Sequence, residues 1–148
     1  MGDHNDDNQI FWCNPIVRAV IPISKLHISR SLKKLCRKKK FEFSINHDFL
    51  STISKCANRE ETWINKSIIS TYNTLHDLGY AHSIEVWDDK KLKGGLYGVA
   101  IGKVFFAESM FSKSSNGSKL ALIALMGMLA LNQFLLLDVQ FMTNHLRN

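Results

Sequence analysis

The spacing of apolar positions changes along the chain and divides it into a helical stretch and a strand-rich one. Between residues 29 and 78 apolar side chains recur every three or four positions, which predicts helices. The first is Ser29–Lys39, with Leu32, Leu35 and Cys36 on one stripe and Ser29 as an N-cap. The second is Asp48–Ala57, with Phe49, Ile53 and Cys56 on one side. The third is Lys66–Leu78, through Ile68, Ile69, Tyr72 and Leu75, and Gly79 stands where a C-cap glycine belongs. Short strands are predicted at Arg18–Ile21, ended by Pro22, and at 41–46, where Phe41, Phe43 and Ile45 alternate with polar residues.

From residue 83 a period of two takes over. Ser83–Trp87, Leu92–Ile101 and Val104–Ser109 read as strands, joined by the charged turn 88–91 and by Gly102-Lys103. The pair Gly94-Gly95 predicts a bulge or a close backbone approach. An apolar helix, Asn116–Leu131, and an apolar strand, Phe134–Gln140, follow. Neither shows polar alternation, so both are expected beneath other elements. An antiparallel meander, a helix and a returning strand make an α+β layer arrangement. The apolar stretch 120–137 is about the minimum for a membrane span, but Asn132 and Gln133 interrupt it, and a buried helix followed by a buried strand is the better reading.

Composition narrows the class. The chain has 148 residues, the size of one domain or one domain and part of another, and 45% are hydrophobic, enough for a core. A net charge of +6 favours an anionic partner without naming it. Cys13, Cys36 and Cys56 are odd in number and far apart, and the six histidines have no ligand spacing. A disulfide framework or a zinc site is therefore not expected, His27 and His47 read as surface or loop residues, and a reducing cytoplasm fits. Residues 1–9 are polar and acidic, unlike a signal peptide.

Three features carry candidate chemistry. Asp138 and Gln140 stand two apart at the end of an apolar strand, so both side chains are expected on one face as a small catalytic pair. The equally weighted alternative is that Asp138 caps a loop and Gln140 satisfies backbone groups. Glu108, inside FFAESMF, would be costly to bury without a partner and reads as an anchor or as a structural hydrogen-bond acceptor. Arg30, Lys33, Lys34, Arg37, Lys38, Lys39 and Lys40 crowd within eleven residues, with 30, 33, 34 and 37 on one helix face. Such a run is either a solvated face or a phosphate-binding surface. Trp12 and Trp63 are equally candidates for base stacking and for the core.

The order of elements resembles the core of the GNAT acyltransferases, where a meander precedes a helix whose N-terminus meets the acyl donor. Members that bind coenzyme A carry a glycine-rich [QR]-x-x-G-x-[GA] loop there, since backbone N–H groups at a helix start favour phosphate. The corresponding linker here, residues 111–119, has one glycine and does not match. That mismatch argues against coenzyme A as the donor.

Seven segments, in order and with matching gaps, resemble the leucyl/phenylalanyl-tRNA–protein transferase family. They are FWCNPIVRAVIP (11–22), LHISRSLKK (26–34), TWIN (62–65), LHDLGYAHSIEVW (75–87), GGLYGVAIG (94–102), FFAESMFS (105–112) and LLLDVQF (135–141). The resemblance covers roughly residues 10–146. It implies a GNAT-like α+β fold and an enzyme that moves Leu, Phe or Met from aminoacyl-tRNA to a protein beginning with Arg or Lys, marking that protein for degradation. The tRNA is then a substrate, and neither a cofactor nor a metal is implied. The resemblance makes Asp138 and Gln140 the reacting-centre pair, the carboxylate orienting the amide and the amide carbonyl receiving a hydrogen bond from the attacking amine. It maps a donor side-chain pocket to Leu96, Phe105, Leu122, Leu125, Leu129 and Leu137 with Glu108 nearby. It turns Arg30, Lys33, Lys34, Arg37 and Lys38, with Trp63, towards tRNA. Leu125 and Leu129 stand where other members carry phenylalanine, which predicts a wider pocket. Residues 1–66 are expected to form a partial N-terminal region with the basic helix, and 67–148 the catalytic core, acting as a monomer. Against the family the chain reads as shortened at both ends, which keeps open a non-catalytic tRNA-binding fragment, and another GNAT-type acyltransferase is the further alternative.

Overall fold

Six strands form one sheet: β1 (Ala19–Pro22), β2 (Glu42–Ile45), β3 (Ala81–Asp88), β4 (Lys91–Ile101), β5 (Val104–Ser112) and β6 (Leu136–Gln140). Their order across the sheet is β1-β6-β5-β4-β3-β2. The computed structural model describes residues 10–13, 15–25, 30, 33, 34 and 41–140. The expected basic helix therefore falls largely outside the described residues, as do Cys36, Arg37 and Lys38. Arg30, Lys33 and Lys34 are helical and exposed. Three helices pack on the sheet: α1 (Phe49–Ala57), α2 (Lys66–Asp77) and α3 (Gly117–Leu131).

Local chemistry sets these boundaries. Asp48 caps α1 by accepting from Ser51 N at 3.1 Å, and Asn65 caps α2 by accepting from Ile68 N at 3.0 Å. Helix α2 ends in a Schellman turn: Gly79 has φ +82, Tyr80 N donates to Leu75 O at 2.8 Å and Gly79 N to His76 O at 2.9 Å. Helix α3 ends the same way through Gln133, at φ +57, with Phe134 N on Leu129 O at 2.9 Å. That cap takes Phe134 out of the expected strand, so β6 starts at Leu136. Pro22 is the last residue of β1 and ends it, as expected; an edge strand can do without its ladder donor.

Both sheet faces are covered. Ile84, Val86, Leu96, Phe105 and Leu137 pack under Leu120, Leu125, Met126 and Leu129 of α3. On the other face Tyr97 and Phe111 pack against Phe49, Ile53 and Cys56 of α1 and Ile68 of α2. Burial pushes the Cys56 thiol up to about 12, so it behaves as a small apolar side chain. The Gly94-Gly95 pair gives the expected close approach. A Cβ on Gly94 would lie 2.5 Å from the Gly117 backbone, and one on Gly95 2.9 Å from Ile84 O. Without a side chain at Gly94, the first turn of α3 rests directly on β4.

Every neighbouring pair is antiparallel except β5 and β6. Those two run parallel because α3 carries the chain back across the sheet. Their pairing covers only Val104↔Leu136, Phe105↔Leu137 and Phe106↔Asp138. Beyond it β5 continues to Ser112 and β6 to Gln140, and the ladder is open. The meander, crossover helix and returning strand of the expected GNAT-like core are thus all present. No helix among the described residues is long and apolar enough to cross a membrane.

Candidate active site

The open end of the β5–β6 ladder is bridged by side chains. Gln140 Nε2 donates to Ala107 O at 3.2 Å and to Glu108 Oε2 at 2.8 Å. Both partners are acceptors, so they fix which end of the planar amide is nitrogen. Gln140 itself has φ +64, a conformation uncommon for a non-glycine residue. Asp138 holds it, accepting from Gln140 N through Oδ1 at 2.7 Å. The other oxygen, Oδ2, takes Arg18 Nε at 2.7 Å.

The pair is therefore together, with a division of work the spacing did not foretell. Asp138 is 4% exposed and orients the Gln140 backbone and Arg18, whereas the Gln140 side chain is oriented by Glu108. The physical reason is the positive φ: it turns Gln140 out of the extended backbone on which the two-residue face argument rests.

Glu108 reaches this position through a β-bulge. Tyr97 pairs with Ser109 and Gly98 with Ala107, which leaves Glu108 without an opposite residue. Bulges re-aim side chains in this way. The bulge depends on Gly98, where a Cβ would lie 2.2 Å from Phe106 O and 2.5 Å from the Phe105 ring. Burial raises the Glu108 pKa, opposed by hydrogen bonds from Gln140 and from Tyr72. Tyr72, half-buried beside it, is itself raised, first by burial and then by the Glu108 charge. The hydrogen bond to Asp138 raises the pKa of the Arg18 guanidinium.

These groups face a cleft of about 830 Å³ between α2, β5, the end of β6 and the segment before β1. Trp63, Ile68, Tyr72 and Leu75 line one wall, and Trp12 and Arg18 another. Trp12 is 98% exposed and so is not core, while Trp63 packs against the α1–α2 cluster as well as lining the cleft. Arg18, Tyr72 and Arg59 were not singled out in the sequence. Arg18 lies 120 residues from its partner, and only the sheet order brings them together.

The seven residues mapped to a donor pocket divide. Leu96, Phe105, Leu125, Leu129 and Leu137 lie together in the α3-side core, each at most 1% exposed, and Leu122 packs against them. Glu108 belongs to the cleft instead. The two regions touch: Ala107, Met110 and Val139 line the cleft and pack against the leucine cluster, forming a floor between them. Among the described residues no three His, Cys, Asp or Glu side chains gather as metal ligands would.

Known proteins match both sequence and fold. A family profile described as leucyl/phenylalanyl-tRNA protein transferase matches residues 20–148. Leucyl/phenylalanyl-tRNA–protein transferases of Dinoroseobacter shibae and Ruegeria pomeroyi are 46% and 47% identical over 146 residues, or 99% of this chain. The chain spans 66% and 70% of those two relatives. Among solved structures, a conserved protein of unknown function from Bacteroides thetaiotaomicron superposes with a TM-score of 0.60 at 10% identity, over 88% of this chain and 52% of that one. L-PGS from Bacillus licheniformis superposes with a TM-score of 0.57 at 9% identity, over 82% and 43%. These two likenesses show a shared fold.

Proposed function

Because the chain belongs to the leucyl/phenylalanyl-tRNA–protein transferase family, we propose that it transfers Leu, Phe or Met from aminoacyl-tRNA to the α-amine of a protein beginning with Arg or Lys. The observation that carries the reading is the bridged opening between β5 and β6, with the Gln140 amide nitrogen fixed by Ala107 and Glu108 and Gln140 lining the cleft.

An aminoacyl ester is already activated, so the protein has mainly to deliver a neutral amine to its carbonyl. Orientation of two reactants can supply roughly 7–11 kcal/mol of such a barrier. In this reading the Gln140 carbonyl accepts a hydrogen bond from the attacking amine and aims its lone pair at the ester carbon. An amide is too weak a base to take the proton outright; water or the departing 3′-oxygen takes it. Glu108 and Ala107 keep the amide from turning, and Asp138 keeps the backbone beneath it in place. The nitrogen–carbon bond forms as the carbon–oxygen bond to the ribose breaks, and no electron donor or acceptor is needed.

The donor side chain rests on the floor of Ala107, Met110 and Val139, and the leucine cluster below sets how far that floor yields. An apolar site of this kind separates ligands by about 1–3 kcal/mol per methylene, which fits a donor range of Leu, Phe and Met. All the named groups come from one chain, so the reading needs no second copy, and it places the work in the cytoplasm beside the tRNA pool. The experiment is transfer of labelled leucine from tRNA to a peptide beginning with Arg. The peptide should become labelled, and the same peptide acetylated at its N-terminus should not. Tight tRNA binding with no labelled peptide would favour a binding role instead.

A further inference from the structure

A second concavity, of about 380 Å³, lies beside the main cleft. Lys55 and Asn58 from the end of α1, Arg59, Lys113, and Ser112 and Ser118 around the start of α3 contribute to its walls. Three of these are cations, and none of its described lining residues is acidic. Cations gathered in a concavity without a carboxylate raise one another's energy and lower that of an entering anion. Arg59 is fixed in place by donating through Nη2 to Ser109 Oγ at 3.0 Å and to Met110 O. Both acceptors are neutral, so these bonds orient the guanidinium without cancelling its charge. Ser112 Oγ donates to Ser114 O at 2.7 Å and accepts from Ser118 N at 3.2 Å, which ties the loop carrying Lys113 to the first turn of α3.

The position of this concavity matters as much as its charge. Arg59 and Met110 line both it and the main cleft. A ligand whose reactive end sits at Gln140 and whose next charged group passes Arg59 would occupy both.

We propose that the Lys55–Arg59–Lys113 concavity holds a phosphodiester of the donor's single-stranded 3′ end while the esterified terminal adenosine occupies the main cleft. The inference rests on the aminoacyl-transfer reading and adds to it the place where the nucleic acid is anchored next to the chemistry. Phosphate binding there would be blind to sequence, as an enzyme accepting several tRNAs requires. It would also place the ester carbonyl relative to Gln140, because the ribose is tethered on one side by its phosphate.

The test compares binding of the trinucleotide cytidine-cytidine-adenosine with binding of adenosine, by calorimetry on the full chain. The Lys55→Gln/Lys113→Gln double variant should lower the trinucleotide-to-adenosine affinity ratio at least tenfold. The slope of its salt dependence should flatten by about 0.7 for each phosphate that the removed cations neutralise in the wild type. Lys55→Arg/Lys113→Arg should restore most of the ratio, which a folding defect would not allow, and thermal melts of both variants report on folding directly. An unchanged ratio in the double variant overturns the proposal. So does wild-type binding of coenzyme A that is tighter than that of the trinucleotide and is abolished in the double variant, since it would assign the concavity to a coenzyme diphosphate. If the trinucleotide binds through these lysines but no amino acid is transferred, the transfer reading fails and the phosphate subsite stands. If transfer occurs and the variant keeps the wild-type ratio, the subsite fails and the transfer reading stands.

Discussion

At the scale of single residues, the account turns on one amide held from two sides. The spacing of Asp138 and Gln140 was enough to single them out, but their partners were not legible. Arg18 and Glu108 meet them only through the sheet order and a bulge, which no local pattern encodes. Two pH effects follow. The attacking α-amine must be neutral, and free α-amines titrate at about 7.7–8.0, so the transfer rate at subsaturating peptide should rise between about pH 6 and 8.5. A rate flat across that range would remove amine deprotonation from the account. The second effect concerns stability. Folding raises the Glu108 pKa above its ordinary 4.5, chiefly by burial. The protonated form is thus favoured in the fold, and its contribution is present below the unfolded value and lost as pH rises through the folded one. Relative to Glu108→Gln, the wild-type chain should lose unfolding free energy across that window. Denaturant titrations of both proteins from about pH 4 to pH 8 measure the difference, and a wild type that gains on the variant instead would reverse the sign.

At the scale of elements, caps and turns were readable because each rests on a few neighbouring residues. Gly79 after α2 and the Gly94-Gly95 approach stand where the sequence placed them, and the helix read from Asp48 starts one residue later with Asp48 as its cap. The limits of β6 were not, because the αL cap at Gln133 is made by a residue with no glycine signature. The bulge at Glu108 likewise leaves no mark on β5; its trace is Gly98 on the partner strand. Gly98→Ala should therefore cost about 1–3 kcal/mol of stability, the usual penalty for overpacking, and lower transfer further by re-aiming Glu108. Gly127 gives the opposite case: it lies within α3, and a Cβ there would meet nothing within 4 Å. Gly127→Ala should stabilise the chain by about 0.5–1 kcal/mol. Chemical denaturation of the two variants side by side checks both signs.

At the scale of the whole molecule, the sheet separates two jobs. Its α3 face is a closed apolar core, and its α2 face, together with the open β5–β6 end, carries the cleft. The α+β class and the returning strand were legible from the change of period. The leucines mapped to a pocket were legible as apolar, but position in sequence could not tell a core from a cavity floor, since both demand the same side chains. The net charge of +6 and the exposed Arg30, Lys33 and Lys34 predict tRNA binding that weakens steeply with salt. A filter-binding series at increasing salt should give a linear fall of log affinity against log salt; a flat line would remove these cations from the account. The central claim, that Gln140 held by Asp138 and Glu108 orients the attacking amine, is tested most directly by single-turnover transfer of labelled leucine from tRNA to an Arg-starting peptide. The measurement compares the chain with its Gln140→Ala and Asp138→Ala variants and follows tRNA affinity alongside. The account predicts a loss in rate of at least about 100-fold in both variants, the scale of a misplaced reactant, with tRNA affinity held within about threefold. A Gln140→Ala variant that transfers leucine at the wild-type rate would contradict it.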